Sequence, residues 1–562
     1  MKKVVVASVL LCLIFSGFAQ NTTNDAKMAW WSNARYGMFI HWGLYAIPAG
    51  SWNGKETGRN RDGAWIVRDL KIPIADYKAL AAQFNPKQFN ADEWVAFAKS
   101  VGMKYIVITS KHHDGFAMFK SSASAFNVVD ATPFKTDVVA AIATACKKQG
   151  MKFGLYYSQS QDWTNGGANY GNDPWWDESQ KNRDYDKYID EIVIPQVKEL
   201  LAFHPDIIWW DTPVNMTKER AGRIKAVLNT YPDIIINNRL GGGVGGDFGT
   251  PEQAIPAFSN DNYWESCLTT SGTNTWGFKS SDKVWKTPGF LIRSIIEIAS
   301  KGGNLLLNVG PDAQGAFPPA VKDTLEVMGN WMKINGESIY GTSAGVFPYL
   351  KFGRCTQKDN KLYLHVLNWP TDGKLKIPLQ NDVLKAYMLA SPKTLLQLSK
   401  QDKYLYIKVP TKAPDTLATV IVLELKGVPQ SLIGNLIPSL NKSATASSEA
   451  DINSKADYAF DAKGNTLWKP AKNQQTAWLS VDMGEQTSIG AIAINEYAGT
   501  NIQQFQLEYK VGDNWIPCLK GTSVGGNFQA SFKPVKAQFF RLNILKMNNT
   551  PQIKSIQLFF DE

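Results

Sequence analysis

Histidine and cysteine are scarce, five of each among 562 residues. Cys146, Cys267, Cys355 and Cys518 are widely spaced and form no Cys-x-x-Cys pattern, so neither a zinc site nor a disulfide scaffold is indicated. Beyond the N-terminus no apolar run approaches the roughly 20 residues that a membrane-spanning helix needs, and no membrane span is expected. The net charge of +10 comes from lysines spread along the chain with no dense basic run. That describes a solvated surface better than a nucleic-acid partner. No Gly-x-Gly-x-x-Gly follows an early strand, which counts against a dinucleotide fold.

What is present begins with residues 1–20. Lys2-Lys3, an apolar stretch over 4–15 and Ser16-Gly17-Phe18-Ala19 have the order of a secretory signal peptide, with cleavage after Ala19 or Gln20. An exported protein, periplasmic or secreted, is the expectation. A lipoprotein reading at Cys12 comes second, because Leu11 stands where a small residue is needed.

From Tyr36 to Thr342 short apolar runs alternate with longer amphipathic ones, the pattern of β/α units around a parallel sheet. Strands are expected at 37–41, 104–110, 152–158, 206–211, 233–239 and 304–309. Helices are expected at 91–101, 136–149, 185–203, 218–231, 288–301 and 319–335. Polar residues recur at many strand ends, so a (β/α) TIM-like barrel over 21–342 is favoured over an open doubly wound sheet. Past Thr342 short alternating runs predict an antiparallel β-sandwich over 343–427. A Gly- and Pro-containing linker at 427–437 leads to a third, strand-rich unit over 438–562.

Three of the five histidines fall directly after two apolar runs, as His41 and as the pair His112-His113. Histidine is costly to bury without partners, so this clustering predicts a polar pocket at the strand ends. The run Ile207-Ile208-Trp209-Trp210 ends in Asp211, which suits a nucleophile beneath a sugar's anomeric carbon as well as it suits a turn cap. Arg239, at the next strand end, can hold hydroxyl oxygens or a carboxylate. The glycine-rich stretch 241–249 reads as a loop folding over the pocket and delivering Glu252. Glu265 follows, so two glutamates compete for the general acid. The 19 Trp and 20 Tyr supply flat faces for sugar rings.

Several runs together resemble one family. They are Phe-Ile-His-Trp-Gly at 39–43, Lys111 to Phe116, Gly154-Leu155-Tyr156-Tyr157-Ser158, Trp209-Trp210-Asp211, Trp264-Glu265-Ser266-Cys267 and residues 303–311. In this order they look like the α-L-fucosidases of glycoside hydrolase family twenty-nine. The resemblance implies a retaining exo-glycosidase acting on fucosylated glycans, with a (β/α) barrel followed by a β-sandwich and no metal or organic cofactor. It assigns the nucleophile to Asp211 and sugar contacts to His41, His112, His113, Tyr156, Trp209 and Arg239, with Trp65 and Trp276 as aromatic walls. Thr250-Pro251-Glu252-Gln253 is similar to the branch-specific members, which points to Glu252 as acid/base and to α1,3/4 linkages. Glu265 is the second candidate and otherwise a sugar contact. Many members carry Glu-Trp where this chain has Ala64-Trp65. Residues 438–562 look like a discoidin-type jelly roll, a candidate carbohydrate-binding module.

Two rival readings follow from the residues. His41, His112, His113 and Asp114 could bind a metal for hydrolysis, although neighbouring histidines on a strand should point to opposite faces. A non-catalytic glycan-binding protein is the other.

Overall fold

The computed structural model describes residues 22–560, apart from 59–60, 172, 182, 257–262, 433–436, 462, 464–465, 498–500 and 526–527. The expected signal peptide, with Cys12, lies outside the described residues.

Among the described residues seven parallel strands form the main sheet: β1 (Tyr36–Ile40), β2 (Tyr105–Lys111), β3 (Lys152–Tyr157), β4 (Ile207–Trp210), β5 (Ile235–Ile236), β6 (Glu265–Thr269) and β7 (Asn304–Val309). Their order is β5-β4-β3-β2-β1-β7-β6. Residues 247–253 fill the gap between the two edge strands. Asn238 N donates to Phe248 O at 3.0 Å on one side, and Gly249 N to Tyr263 O at 2.9 Å on the other. Glu265 N then bonds Gly249 O at 2.8 Å, and Cys267 N bonds Pro251 O at 3.2 Å. Eight staves, met in chain order, close the barrel.

The stretch 241–249 is therefore not a loop over the pocket. Its glycines turn the chain back into the barrel wall. A side chain on Gly246 would lie 2.3 Å from the Asn237 carbonyl, so only glycine lets the backbones approach this closely.

The strands are apolar on consecutive residues because both faces are covered. Phe39, Val107, Tyr156, Trp209 and Leu306 pack inside the barrel. Met38, Ile106, Leu155, Trp210 and Leu307 alternate with them and pack outside, in the main core that the helices share. The helix Thr22–Ala34 plugs the N-terminal end: Trp31 packs on Phe248 with centroids 4.7 Å apart, and its carbonyl accepts from Asn304 Nδ2 at 2.7 Å.

Residues 185–203, expected as one helix, are helical without interruption over 185–201, with a wide π-turn at Ile189–Val193 between Tyr185–Tyr188 and Ile194–Leu201. Pro195 explains the widened turn, since it has no N–H to donate and its ring crowds the carbonyl four residues back.

After the barrel, a six-stranded and a three-stranded antiparallel sheet enclose a core that includes Phe347, Leu364, Ile377, Ile407 and Ile421. The third unit has its own core around Phe460, Trp468, Ile492, Phe505, Phe540 and Leu558. Its two long strands, Ala477–Glu496 and Phe528–Met547, pair antiparallel with shifts of register that let them bend. It docks through Phe559, on which the Tyr349 ring stacks at 4.8 Å beside Ala491 and Ala493. Among the described residues no helix is long and apolar enough to cross a membrane.

Candidate active site

Asp211 follows the last residue of β4 and lies at the C-terminal mouth of the barrel, where strand-end side chains converge. The Tyr156 hydroxyl donates to its Oδ2 at 2.8 Å, and Arg239 Nη1 donates to its Oδ1 at 2.9 Å. Its backbone N–H is held by Gln159 Oε1 at 3.0 Å. An ionised carboxylate has about four lone-pair sites, so these bonds fix Asp211 and leave others for a reacting atom. The next residue, Thr212, has φ 45°, which is strained for a β-branched side chain.

Glu252 is on the closing stave. The same Arg239 Nη1 donates to its Oε2 at 2.9 Å. An NH2 group splays its hydrogens by about 120°, so two such bonds set the carboxylate oxygens roughly 5 Å apart. Arg239 is itself anchored by Thr250, through Nε to Oγ1 at 2.8 Å and Nη2 to the carbonyl at 2.9 Å, and lies over the Trp209 face at 4.7 Å. Burial alone would lower its pKa, but Glu252 and Asp211 raise it and keep the guanidinium charged. Like Thr212, the residue after Glu252 is left-handed, Gln253 at φ 50°.

Three histidines line the pocket. His41 Nδ1 lies 2.7 Å from Asn308 Oδ1, and Asn308 spends its amide nitrogen on the Trp276 carbonyl at 2.8 Å. His113 Nδ1 lies 2.7 Å from Ser158 Oγ, whose own proton goes to the Gln161 carbonyl at 2.8 Å. In both, Nδ1 must therefore be the donor, and Nε2 is left as an acceptor. His113 Nε2 is 3.6 Å from Asp211 Oδ2. Burial pushes His41 down to about 4 and the other two well below the usual histidine range, so all three are neutral near pH 7. The His112 and His113 rings sit together, with centroids 4.1 Å apart. The opposite-face expectation fails because both residues lie past the end of β2 in a turn. Among the described residues no group of three His, Cys, Asp or Glu is placed to hold a metal ion.

Trp65 meets His113 edge-on at 4.9 Å, and Trp276 tilts over His41 at 5.1 Å, so each half-buried indole walls one of the histidines. Asp62 clasps them. Its Oδ1 accepts from the N–H groups of Ala64, Trp276 and Gly277 at 3.0–3.1 Å. Ala64, where many family members carry a glutamate, is fully buried.

Glu265 does not join this pocket, which corrects its expected place among the sugar contacts. It is the first residue of β6, at the opposite end of the strand from the mouth, and is fully buried. Tyr105 donates to Oε2 at 2.5 Å and the Trp209 indole to Oε1 at 3.0 Å. Burial raises its pKa to about 7.

Gln159, Ser158, Asn308, Thr250 and Asp62 were not singled out from the sequence, although each orients a group that was. Ser158, Gln159 and Asn308 all sit at or just past strand ends, which was the usable signal.

A closed parallel barrel whose mouth carries two carboxylates on one guanidinium nitrogen, among neutral histidines and indole walls, has the layout of a glycoside hydrolase. Comparison with known proteins sharpens the class. The Alpha-L-fucosidase family model matches residues 16–337, and the F5/8 type C domain model matches residues 443–557. Alpha-L-fucosidase isoenzyme 1 from Paenibacillus thiaminolyticus is 35% identical and covers 72% of this chain and 99% of its own, with a TM-score of 0.64. A family 29 alpha-L-fucosidase from Bacteroides thetaiotaomicron, solved as a trapped covalent intermediate with 2-fluoro-fucosyl fluoride, is 28% identical. It covers 72% of this chain and 97% of its own, with a TM-score of 0.65. The alpha-L-fucosidase from Vibrio sp. strain EJY3, 24% identical, covers 94% of this chain and 97% of its own at a TM-score of 0.72, which extends the shared fold to nearly the whole length. The chain belongs to the alpha-L-fucosidase family of glycoside hydrolases, family 29, and carries a C-terminal discoidin domain.

Proposed function

We propose that this enzyme removes terminal α-L-fucose from glycans with retention of configuration, Asp211 acting as nucleophile and Glu252 as acid/base. The observation that carries this reading is the shared nitrogen: Arg239 Nη1 holds both carboxylates at 2.9 Å. Retaining glycosidases need carboxyl groups about 5–5.5 Å apart, and inverting ones need room for a water between them. The relative trapped as a covalent intermediate supports the same chemistry.

In the first step Asp211 attacks the anomeric carbon and protonated Glu252 gives its proton to the departing oxygen. In the second, Glu252 takes a proton from water, which displaces Asp211 from the sugar. Tyr156 and Arg239 fix the attacking carboxylate. The unprotonated Nε2 atoms of His41 and His113 accept from fucose hydroxyls, His112 lies beside them, and Trp65 and Trp276 flank the ring. Trp209 contributes as the floor beneath Arg239.

The substrate is a fucosylated oligosaccharide or glycoconjugate, with α1,3/4 linkages favoured by the Thr250-Pro251-Glu252-Gln253 resemblance. The signal-peptide pattern of residues 1–20 supports export to the periplasm or beyond. A panel of α1,2-, α1,3-, α1,4- and α1,6-fucosylated oligosaccharides tests the linkage, and preference for α1,2 or α1,6 links would overturn that part. Release of β-fucose as the first product, seen by NMR, would overturn retention. Glycan-array binding by the full chain with Asp211→Asn and with Asp211→Asn plus changes on the discoidin loops tests whether that domain also holds glycan.

A further inference from the structure

The residues just after Glu252 are held from behind by a different part of the molecule. Their carbonyls are taken up in succession. Ala254 O accepts from Ser266 Oγ at 2.7 Å, and Ile255 O accepts from Asn495 Nδ2 at 3.3 Å. Pro256 O accepts from Lys301 Nζ at 2.8 Å. Ser266 and Lys301 belong to the barrel, but Asn495 belongs to the discoidin domain, 240 residues away along the chain.

The Lys301 contact leads to the same place. Its ammonium is 2.6 Å from Glu297 Oε1, and Arg354 of the sandwich is 2.6 Å from Glu297 Oε2. Gln529 of the discoidin domain donates to Glu297 Oε1 at 3.0 Å. All three charged side chains are at least nine-tenths buried. A buried ion network tolerates little displacement, because a lost partner leaves an uncompensated charge. Three domains therefore meet at Glu297, and the network ends on the carbonyl four residues past the acid/base.

The docking face is shaped for this approach. Ala493 pairs with Gln529 and Ala491 with Ser531, so small residues sit beside the polar ones across adjacent strands. Ala491 and Ala493 admit Tyr349, which brings Asn495 and Gln529 close to the barrel.

We propose that the discoidin domain braces the segment carrying Glu252, with Asn495 and Gln529 as positioning residues for the acid/base. This rests on the assignment of Glu252 made above. A domain of this kind can bind glycan as well, but the brace acts on the chemical step. Glu252 transmits a proton only when its carboxyl is within hydrogen-bond reach of the leaving oxygen, so displacement of its segment slows departure of poor leaving groups above all.

The test compares a fucosylated oligosaccharide, which needs the acid, with α-L-fucosyl fluoride, which does not. Full-length Asn495→Ala and Gln529→Ala are expected to lower kcat/KM on the oligosaccharide about fivefold each, through kcat, and to leave kcat/KM on the fluoride within about twofold. Asn495→Ser disturbs the docking face less and should follow the same pattern if Asn495→Ala melts early. Equal losses on both substrates, or no loss on either, would overturn the brace. Glu252→Gln serves as the reference. If it is selective against the oligosaccharide and the two braces are not, only the brace fails. If Glu252→Gln shows no selectivity, the acid/base assignment fails and the brace with it.

Discussion

The Trp209 indole donates to Glu265 at 3.0 Å, and its face carries Arg239, so one ring separates the two glutamates that competed for the acid/base role. Burial lifts the Glu265 pKa to about 7, so its carboxyl is about half protonated at neutral pH. Glutamine is close to isosteric with that protonated carboxyl.

Glu265→Gln is therefore expected to keep kcat/KM on oligosaccharides within about threefold and to cost about 1 kcal/mol of stability. Glu252→Gln should lower the same kcat/KM by about 10²–10⁴ and spare fucosyl fluoride. Steady-state kinetics on both substrates checks this, and the reverse ranking would move the acid/base to Glu265.

Asp211→Asn should abolish turnover, with losses on the order of 10⁴ or more on every substrate, leaving groups included. Tyr156→Phe removes one charge-assisted bond to the same carboxylate and should cost about 1.5–3 kcal/mol, roughly ten- to a hundredfold in kcat/KM. An equal loss on fucosyl fluoride distinguishes it from changes at Glu252.

His41 has a folded pKa of about 4, against 6.5 for a free histidine. The unfolded chain thus binds the proton first as the pH falls. The stabilisation is fully present above about pH 6.5 and is lost progressively toward pH 4, up to about 3 kcal/mol. Thermal unfolding of the barrel followed between pH 7 and 4 should show this decline, and His41→Asn should make it shallower, with His112 and His113 keeping part of the slope. An unchanged slope would show that His41 binds its proton equally in the folded and unfolded chain.

Thr212 combines φ 45° with a buried hydroxyl that makes no hydrogen bond. Thr212→Gly should raise stability by about 1 kcal/mol, because glycine adopts this conformation freely. The same change loosens the hold on Asp211, and kcat is expected to fall. A gain in both would mean that the strain plays no part in presenting the nucleophile.

Much of this was legible in the chain. Apolar runs ending in chemistry-bearing residues mark β1 to β5 and β7, because strands covered on both faces must be apolar throughout. β6 was not seen, since Glu-Ser-Cys-Leu-Thr turns its polar side chains inward to Tyr105 and Gln253 and has no apolar signature. The closing stave resembles a loop in sequence for a related reason. Its glycines and Pro251 are strand breakers, and only bridges to neighbours on both sides make it part of the wall. Arg239, Asp211 and Glu252 were each found singly. That one guanidinium nitrogen joins them is a tertiary fact, with no trace in local pattern.

The two halves of the site rest on supports of unequal stiffness. Asp211 ends a strand with continuous partners on both sides, whereas Glu252 rides on a stave attached by isolated bridges. Sequence changes in 241–253, apart from Thr250, which anchors Arg239, can move the proposed proton donor and the surface around it while leaving Asp211 and the histidines in register. Such a split lets the preferred linkage drift over evolutionary time at little risk to the capacity to recognise fucose.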